Sequence, residues 1–342
     1  MNKKVLILIV IILISLPLFS AFNLSTELSL MNTLTIKEST GSDIAQSGNI
    51  LFGLNSTGYK NVKADVGVNV GFYSLTTIPT ISLDRLTIKA RFPSFRVTLG
   101  KTRLDWGEGS LFNAGNVLFE DTAIDIPLLT TSPILDRQWL GAITIALTSF
   151  SFFEGALIIP ETEKLSDLKG GIRYYNSEGD VKVDAGLSIR NNALTPHLSV
   201  LGNIGLDASL SASFDIPLTE DDPSSMKESL SISTSLFYVY SFLNQDSLSL
   251  TLEALYTPFS LDATNTLFLY PVVQYALSNG LSFSMRSIIS PIDMSASVSA
   301  SMGWNIFDGL QISALINTEL GESGDSFTYN DVKVSIGLTS LF

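Results

Sequence analysis

Between Asn61 and Tyr73 the even positions are Val62, Ala64, Val66, Val68, Val70 and Phe72. The odd positions are Asn61, Lys63, Asp65, Gly67, Asn69, Gly71 and Tyr73. Successive strand side chains point to opposite faces, so this stretch predicts a strand with one oily and one wet face. The pattern recurs: Leu206, Ala208, Leu210, Ala212, Phe214 and Ile216 alternate with Asp207, Ser209, Ser211, Ser213 and Asp215. Met294, Ala296, Val298, Ala300, Met302 and Trp304 alternate with Asp293, Ser295, Ser297, Ser299 and Ser301. Val332, Val334, Ile336, Leu338 and Phe342 close the chain on one parity.

Applied throughout, the alternation places strands near 24–36, 49–59, 61–73, 81–92, 95–103, 139–148, 151–160, 169–175, 180–190, 196–203, 206–216, 229–243, 247–257, 267–277, 281–289, 293–305, 310–320 and 329–342. That makes eighteen, with sixteen as the close alternative. Many of these runs far exceed the roughly 5–6 residues of a soluble strand and match the about 9–11 that a tilted strand needs to cross a bilayer. A backbone in lipid must satisfy its own hydrogen bonds, and a closed barrel does so without leaving an edge. The expected fold is therefore an all-β, antiparallel, up-and-down transmembrane barrel. One stretch competes with this reading: 139–160 carries Glu154 as its only charge, and hydropathy alone would make it a spanning helix. The odd-parity series Trp139, Gly141, Ile143, Ile145 and Leu147, with Ser149–Ser151 able to turn, makes it a hairpin.

The first segment differs in kind. Lys3 and Lys4 precede the apolar run Val5–Leu16, Pro17 breaks it, and Ser20 and Ala21 are small residues suited to cleavage. Residues 1–21 read as a secretory signal peptide and 22–342 as the barrel domain, the alternative being an N-terminal membrane anchor. Composition narrows the chemistry. The 342 residues hold no Cys and a single His, which excludes disulfide scaffolds, thiol catalysis and a lipoprotein anchor, and removes most His-based metal sites. His197 follows Pro196 at an expected strand start, and no G-x-S-x-G nucleophile motif, phosphate loop or dinucleotide fingerprint occurs, so neither an enzyme nor a cofactor is expected. A net charge of -13 argues against nucleic acid as a partner.

Short turns are expected at Gly58–Asn61, Pro93–Ser94, Ser149–Ser151, Asn176–Asp180, Asn203–Gly205, Asn244–Ser247, Ser278–Gly280 and Phe307–Gly309. Mostly longer connections are expected at Lys37–Gly48, Ser74–Thr80, Asp105–Gln138, Glu161–Leu168, Pro217–Glu228, Pro258–Thr266 and Gly321–Thr328. The two classes alternate, as in bacterial outer-membrane barrels with short periplasmic turns and longer extracellular loops. With the leader, the strands and the C-terminal aromatic Phe342, preceded by Leu338, Ile336 and Val334, the chain resembles Gram-negative outer-membrane β-barrels of the porin type. Ser340 departs from the hydrophobic spacing of that last strand. The run Gly100-Lys101-Thr102-Arg103-Leu104-Asp105-Trp106-Gly107-Glu108-Gly109, with Phe112-Asn113, is similar to a strand-end motif of other bacterial barrels.

The resemblance implies outer-membrane localisation, a lipid surround, and assembly through barrel-assembly machinery that reads the last strand and Phe342. It leaves a homo-oligomer open. It also implies that 105–138, the third extracellular loop, folds inward. Sixteen to eighteen strands leave an aqueous lumen, so the expected function is passive diffusion of small hydrophilic solutes. A non-conducting structural or surface-interaction barrel plugged by 105–138 is the alternative. On wet parity, Arg85, Lys89, Arg91, Arg96, Lys63, Arg173, Lys182 and Arg190 are candidate pore-lining cations. Asp105, Trp106, Glu108, Glu120, Asp121 and Asp125 are candidate constriction-loop residues. A basic wall facing an acidic loop would set a transverse field; equally, the charges would pair and brace the barrel.

Overall fold

The computed structural model describes residues 22–37, 41–56, 61–73, 79–119, 137–160, 168–190, 192–218, 229–260, 266–328 and 332–342. Residues 1–21, the expected leader, and residues 120–136, with Glu120, Asp121 and Asp125, lie outside them. The strands are β1 (Phe22–Lys37), β2 (Gly41–Ser56), β3 (Val62–Tyr73), β4 (Thr80–Arg91), β5 (Phe95–Thr102), β6 (Gln138–Ala146), β7 (Ser151–Ile159), β8 (Lys169–Asn176) and β9 (Val181–Arg190). They continue with β10 (Ala193–Asn203), β11 (Asp207–Ser213), β12 (Ile216–Pro217), β13 (Ser231–Ser241), β14 (Ser247–Tyr256), β15 (Leu267–Ala276), β16 (Leu281–Ser290), β17 (Ser295–Phe307), β18 (Leu310–Leu320) and β19 (Val332–Leu341). The short β12 pairs with β10 just beyond β11, so the two make one broken stave and the wall has eighteen.

Each stave pairs antiparallel with its sequence neighbour, and β1 closes the ring on β19 from Glu27↔Leu341 to Ile36↔Val332. Closure leaves no sheet edge along the wall, which is what a lipid surround demands. The chain ends meet at the rim that carries the short turns, where the Thr26 and Phe342 backbones exchange N–H···O bonds of 3.0 and 2.8 Å. The opposite rim departs from expectation. Residues 41–48 belong to β2, paired with β1 as far as Lys37↔Gly41, so the long connection expected at Lys37–Gly48 shortens to the three residues 38–40, which lie outside the described residues. Staves β9 and β10 are joined by two residues, and β16 and β17 by four. That rim therefore mixes tight and long connections.

The two faces differ sharply. Leu99, Ile143, Leu157, Ile172, Ile189, Leu198, Leu210, Leu252 and Ile336 stand exposed on one side. On the other, Thr87, Thr98, Arg173, Ser188, Ser199, Ser211, Ser233, Glu253, Ser299 and Ser335 are buried. The ladders set serines side by side: Ser199↔Ser211, Ser211↔Ser233, Ser284↔Ser301. An apolar belt of this extent around a whole molecule is far larger than a water-soluble surface tolerates, and its natural solvent is hydrocarbon. A bulge keeps β4 in step with this division. Opposite Gly67 and Val68 the partners are Arg85 and Leu83, leaving Asp84 unmatched. Ile81 therefore points outward while Arg85, Thr87 and Lys89 share the polar face. Gly100 is required where β5 meets β4: its φ is +126°, and a Cβ there would lie 1.8 Å from the Leu86 carbonyl oxygen.

The 139–160 hairpin forms as expected, as β6 and β7. Its apolar character has two causes. Ile143, Ile145, Leu157 and Ile159 face outward, while Leu140, Ala142, Ala156 and Ile158 face inward and are covered by Trp106, Val117 and Leu118.

Candidate functional site: the lumen and the segment seated in it

After β5 the chain leaves the wall and residues 103–119 lie against the polar face. Trp106, Leu111, Phe112, Val117 and Leu118 are all at most 2% exposed. The wall holds this segment from many staves. Trp106 Nε1 donates to Glu154 Oε1 on β7 at 3.0 Å, and the Gly107 N–H to Asp184 Oδ2 on β9 at 2.9 Å. Ser211 on β11 donates to the Glu108 carbonyl at 3.1 Å, and the Ala114 N–H donates to Ser233 Oγ on β13 at 2.9 Å. Glu253 on β14 receives three backbone N–H groups: Ser110 at 2.7 Å, Leu111 at 2.8 Å and Phe112 at 2.8 Å. A carboxylate facing three adjacent amide donors is a charge-assisted seat.

The segment doubles back on itself within this reach. Gly107 has φ +71°, and a Cβ there would come 2.7 Å from Gly115 Cα, so only glycine lets the two backbone runs touch. Asn113 ties the fold, donating to the Trp106 carbonyl at 2.9 Å and receiving the Gly115 N–H at 3.1 Å. On the far side Leu111 and Phe112 pack with Leu255, Phe268, Tyr270, Ile288 and Phe327. Phe327 belongs to the β18–β19 connection, held by Asp293, which receives the Ser326 N–H and hydroxyl at 2.7 Å each. Burial alone would raise the Asp293 carboxyl, but these bonds, with those from Ser290 and Ser295, hold it well below the usual carboxylate range. Tyr270 is an interior packing residue against Phe112, whereas Tyr256 and Trp304 stand exposed on the outer surface.

The predicted cations separate into two groups. Arg173 is 9% exposed and bonds Glu154 Oε1 (2.9 Å), Asp184 Oδ2 (2.7 Å) and the Asp105 carbonyl (2.8 Å), with its guanidinium 5.4 Å from the Trp106 ring. His197, inside β10, shares Asp184 at 3.3 Å and stacks on Trp106 at 5.5 Å. Arg85 pairs with Asp65 at 2.9 Å and Arg190 with Asp215 at 3.2 Å. These three arginines brace the wall. Lys63, Lys89, Arg91 and Arg96 form the other group: Lys63 faces Lys89 and Arg91 faces Arg96, all on the polar face towards the short-turn rim. All four are exposed, and among the described residues no ion pair joins them to an acid. Lys182 lies near that rim on β9 and acts on Glu108, whose carboxyl burial pushes up while Lys182 pulls it down. Asp105 pairs with Arg103 at 3.3 Å, and its side chain is exposed.

Sequence reasoning missed the acceptors that seat the segment. Glu253 is the lone acid on the wet parity of a serine-rich strand, and Glu154 the lone charge of an apolar hairpin. Such isolated buried-parity acids are the signal that points to a partner from elsewhere in the chain.

The ring, its apolar exterior and its polar interior define a transmembrane β-barrel with a solvated lumen. A search by sequence matches no protein family and no curated protein. Among solved structures the chain is similar to outer-membrane porins. OpdQ of Pseudomonas aeruginosa has 11% identity and a TM-score of 0.63, covering 94% of this chain and 99% of that one. OccAB3 of Acinetobacter baumannii has 14% identity and a TM-score of 0.59, covering 94% and 100%. OpdL of Pseudomonas aeruginosa has 11% identity and a TM-score of 0.60, covering 94% and 98%. At such identities the likeness is one of fold.

Proposed function

We propose that the protein is an outer-membrane channel for passive diffusion of small hydrophilic solutes, made with residues 1–21 as a cleaved leader and 22–342 as the barrel. The observation that carries this reading is the closed eighteen-stave ring with serines and charges on its inner face, a girth that side chains of that size do not fill. The fold shared with outer-membrane porins supports the location. The segment 103–119, seated on the polar face from β7 to β14, is then the constriction, with Trp106 as its anchor and Asp105 and Glu108 as its described acids. Lys63, Lys89, Arg91 and Arg96 are the charges of the β3–β5 wall, and Lys182 on β9 is the cation beside Glu108. The last strand, with Phe342 exposed at its end, is the recognition element for barrel assembly. Purified protein in planar bilayers should give stable single-channel steps. Correctly folded protein that inserts and stays silent would favour the plugged, surface-interaction barrel instead.

A further inference from the structure

Below the seated segment, the β14–β18 side of the lumen differs from the charged side. A cavity of about 350 Å³ opens there between Ser110 and the wall. Its surface carries Gln274, Ser284 and Ser301, aligned across β15, β16 and β17, with Ser282 and Gln311 beside them. Gly303 keeps the space open: a Cβ at that position would lie 3.0 Å from both Gln311 Nε2 and Ser282 Oγ. Among the described residues neither glutamine carboxamide has a hydrogen-bond partner. The one ion in the lining, Arg286, is 7% exposed and engaged with Tyr270. The polar groups that a solute meets here are thus mainly hydroxyls and carboxamides, each able to donate and to accept, with Val272, Met302 and the Tyr270 ring as the apolar part. A charged solute finds no accessible counter-ion, and an apolar one leaves those polar groups unpaired. A pocket of this volume with a few convergent polar groups is of ligand-binding size.

We infer that this cavity is a binding subsite for a neutral polyhydroxylated solute, of the size of a mono- or disaccharide, held by Gln274 and Gln311. The inference rests on the channel reading for its role in permeation, and names the solute class for that lumen. It is tested with the full mature protein in planar bilayers, adding maltose, and lactobionate as the acidic disaccharide of similar size. Maltose should reduce the current in a saturable way. Gln274→Leu with Gln311→Leu should raise the half-blocking concentration about tenfold, the loss of two hydrogen bonds, while the potassium chloride conductance stays that of the wild type. Gly303→Leu, which fills the cavity and crowds the Gln311 carboxamide while both glutamines remain in the sequence, should do the same. Equal maltose block in all three proteins, or a tighter lactobionate block abolished by the glutamine substitutions, would overturn the assignment. Saturation-transfer NMR on detergent-solubilised protein separates the two readings. Maltose contacts present in the wild type and absent from the double variant support the subsite even if no current flows, and a wild type without them refutes it even if the channel conducts.

Discussion

Replacing Glu253 with Gln keeps the side chain's size and removes one of its acceptor oxygens. In the native protein Oε2 receives the Leu111 and Phe112 N–H groups at 2.8 Å and Oε1 the Ser110 N–H at 2.7 Å. A glutamine turned to keep the pair at one oxygen presents its NH2 to the Ser110 N–H, donor against donor. The substitution therefore loses one bond outright and the charge assistance of the other two. At about 1.5–3 kcal/mol for a hydrogen bond to a charged group, with neutral bonds worth about half of that, the local cost is about 3–6 kcal/mol. The wall itself is untouched, because Glu253 faces the lumen and β14 keeps its ladders to β13 and β15. The loss falls on the opening equilibrium of the segment. At 1.4 kcal/mol per tenfold, the amides of Ser110, Leu111 and Phe112 should exchange with solvent about 100- to 20,000-fold faster, with strand amides unchanged. Single-channel recordings should show a larger and noisier conductance as the segment leaves its seat. Unchanged protection of those three amides would refute the idea that Glu253 holds the segment, whatever the current does.

Arg173→Met removes the cation shared by Glu154 and Asp184, both almost fully buried, and should lower unfolding stability in detergent by about 3–5 kcal/mol; a denaturation midpoint equal to that of the wild type would refute the bracing role. Exchanging Lys63, Lys89, Arg91 and Arg96 for glutamine together should shift the reversal potential in a salt gradient towards cation selectivity without loss of folding, since none braces an acid among the described residues. No change in reversal potential or conductance would remove the basic wall from the account of selectivity. Asp293 supplies a pH test. Its folded carboxyl sits below its unfolded value of about 3.9, so its stabilisation is complete above that value and is lost only as pH falls through the folded one. Protection of the Ser326 and Phe327 amides, corrected for intrinsic exchange, should hold from pH 7 to about 4.5 and drop in Asp293→Asn; a fall between pH 7 and 5 in the wild type would contradict the assignment.

The sequence by itself determined the wall. Period-two alternation is a local property, imposed wherever one side of a strand meets lipid and the other water, so every expected stave recurs with its ends displaced by only a few residues outside β2. Where that constraint lapses, so does legibility. Residues 41–46 of β2 are exposed on both parities and hold a single large apolar residue, Ile44, so nothing in Ser42, Asp43, Ala45 and Gln46 announces a strand; only pairing to β1 makes one. Tertiary structure alone decided the interior. The sequence marked Trp106 and Gly107 as part of a strand-end motif but could not reveal that they reach Glu154 and Asp184, 48 and 77 residues away. Nor could it separate Arg173, locked between two acids, from Lys89, which is not. A strand's periodicity says which way a side chain points. Whether another piece of chain arrives to meet it depends on contacts between residues far apart in sequence, and no local pattern encodes those.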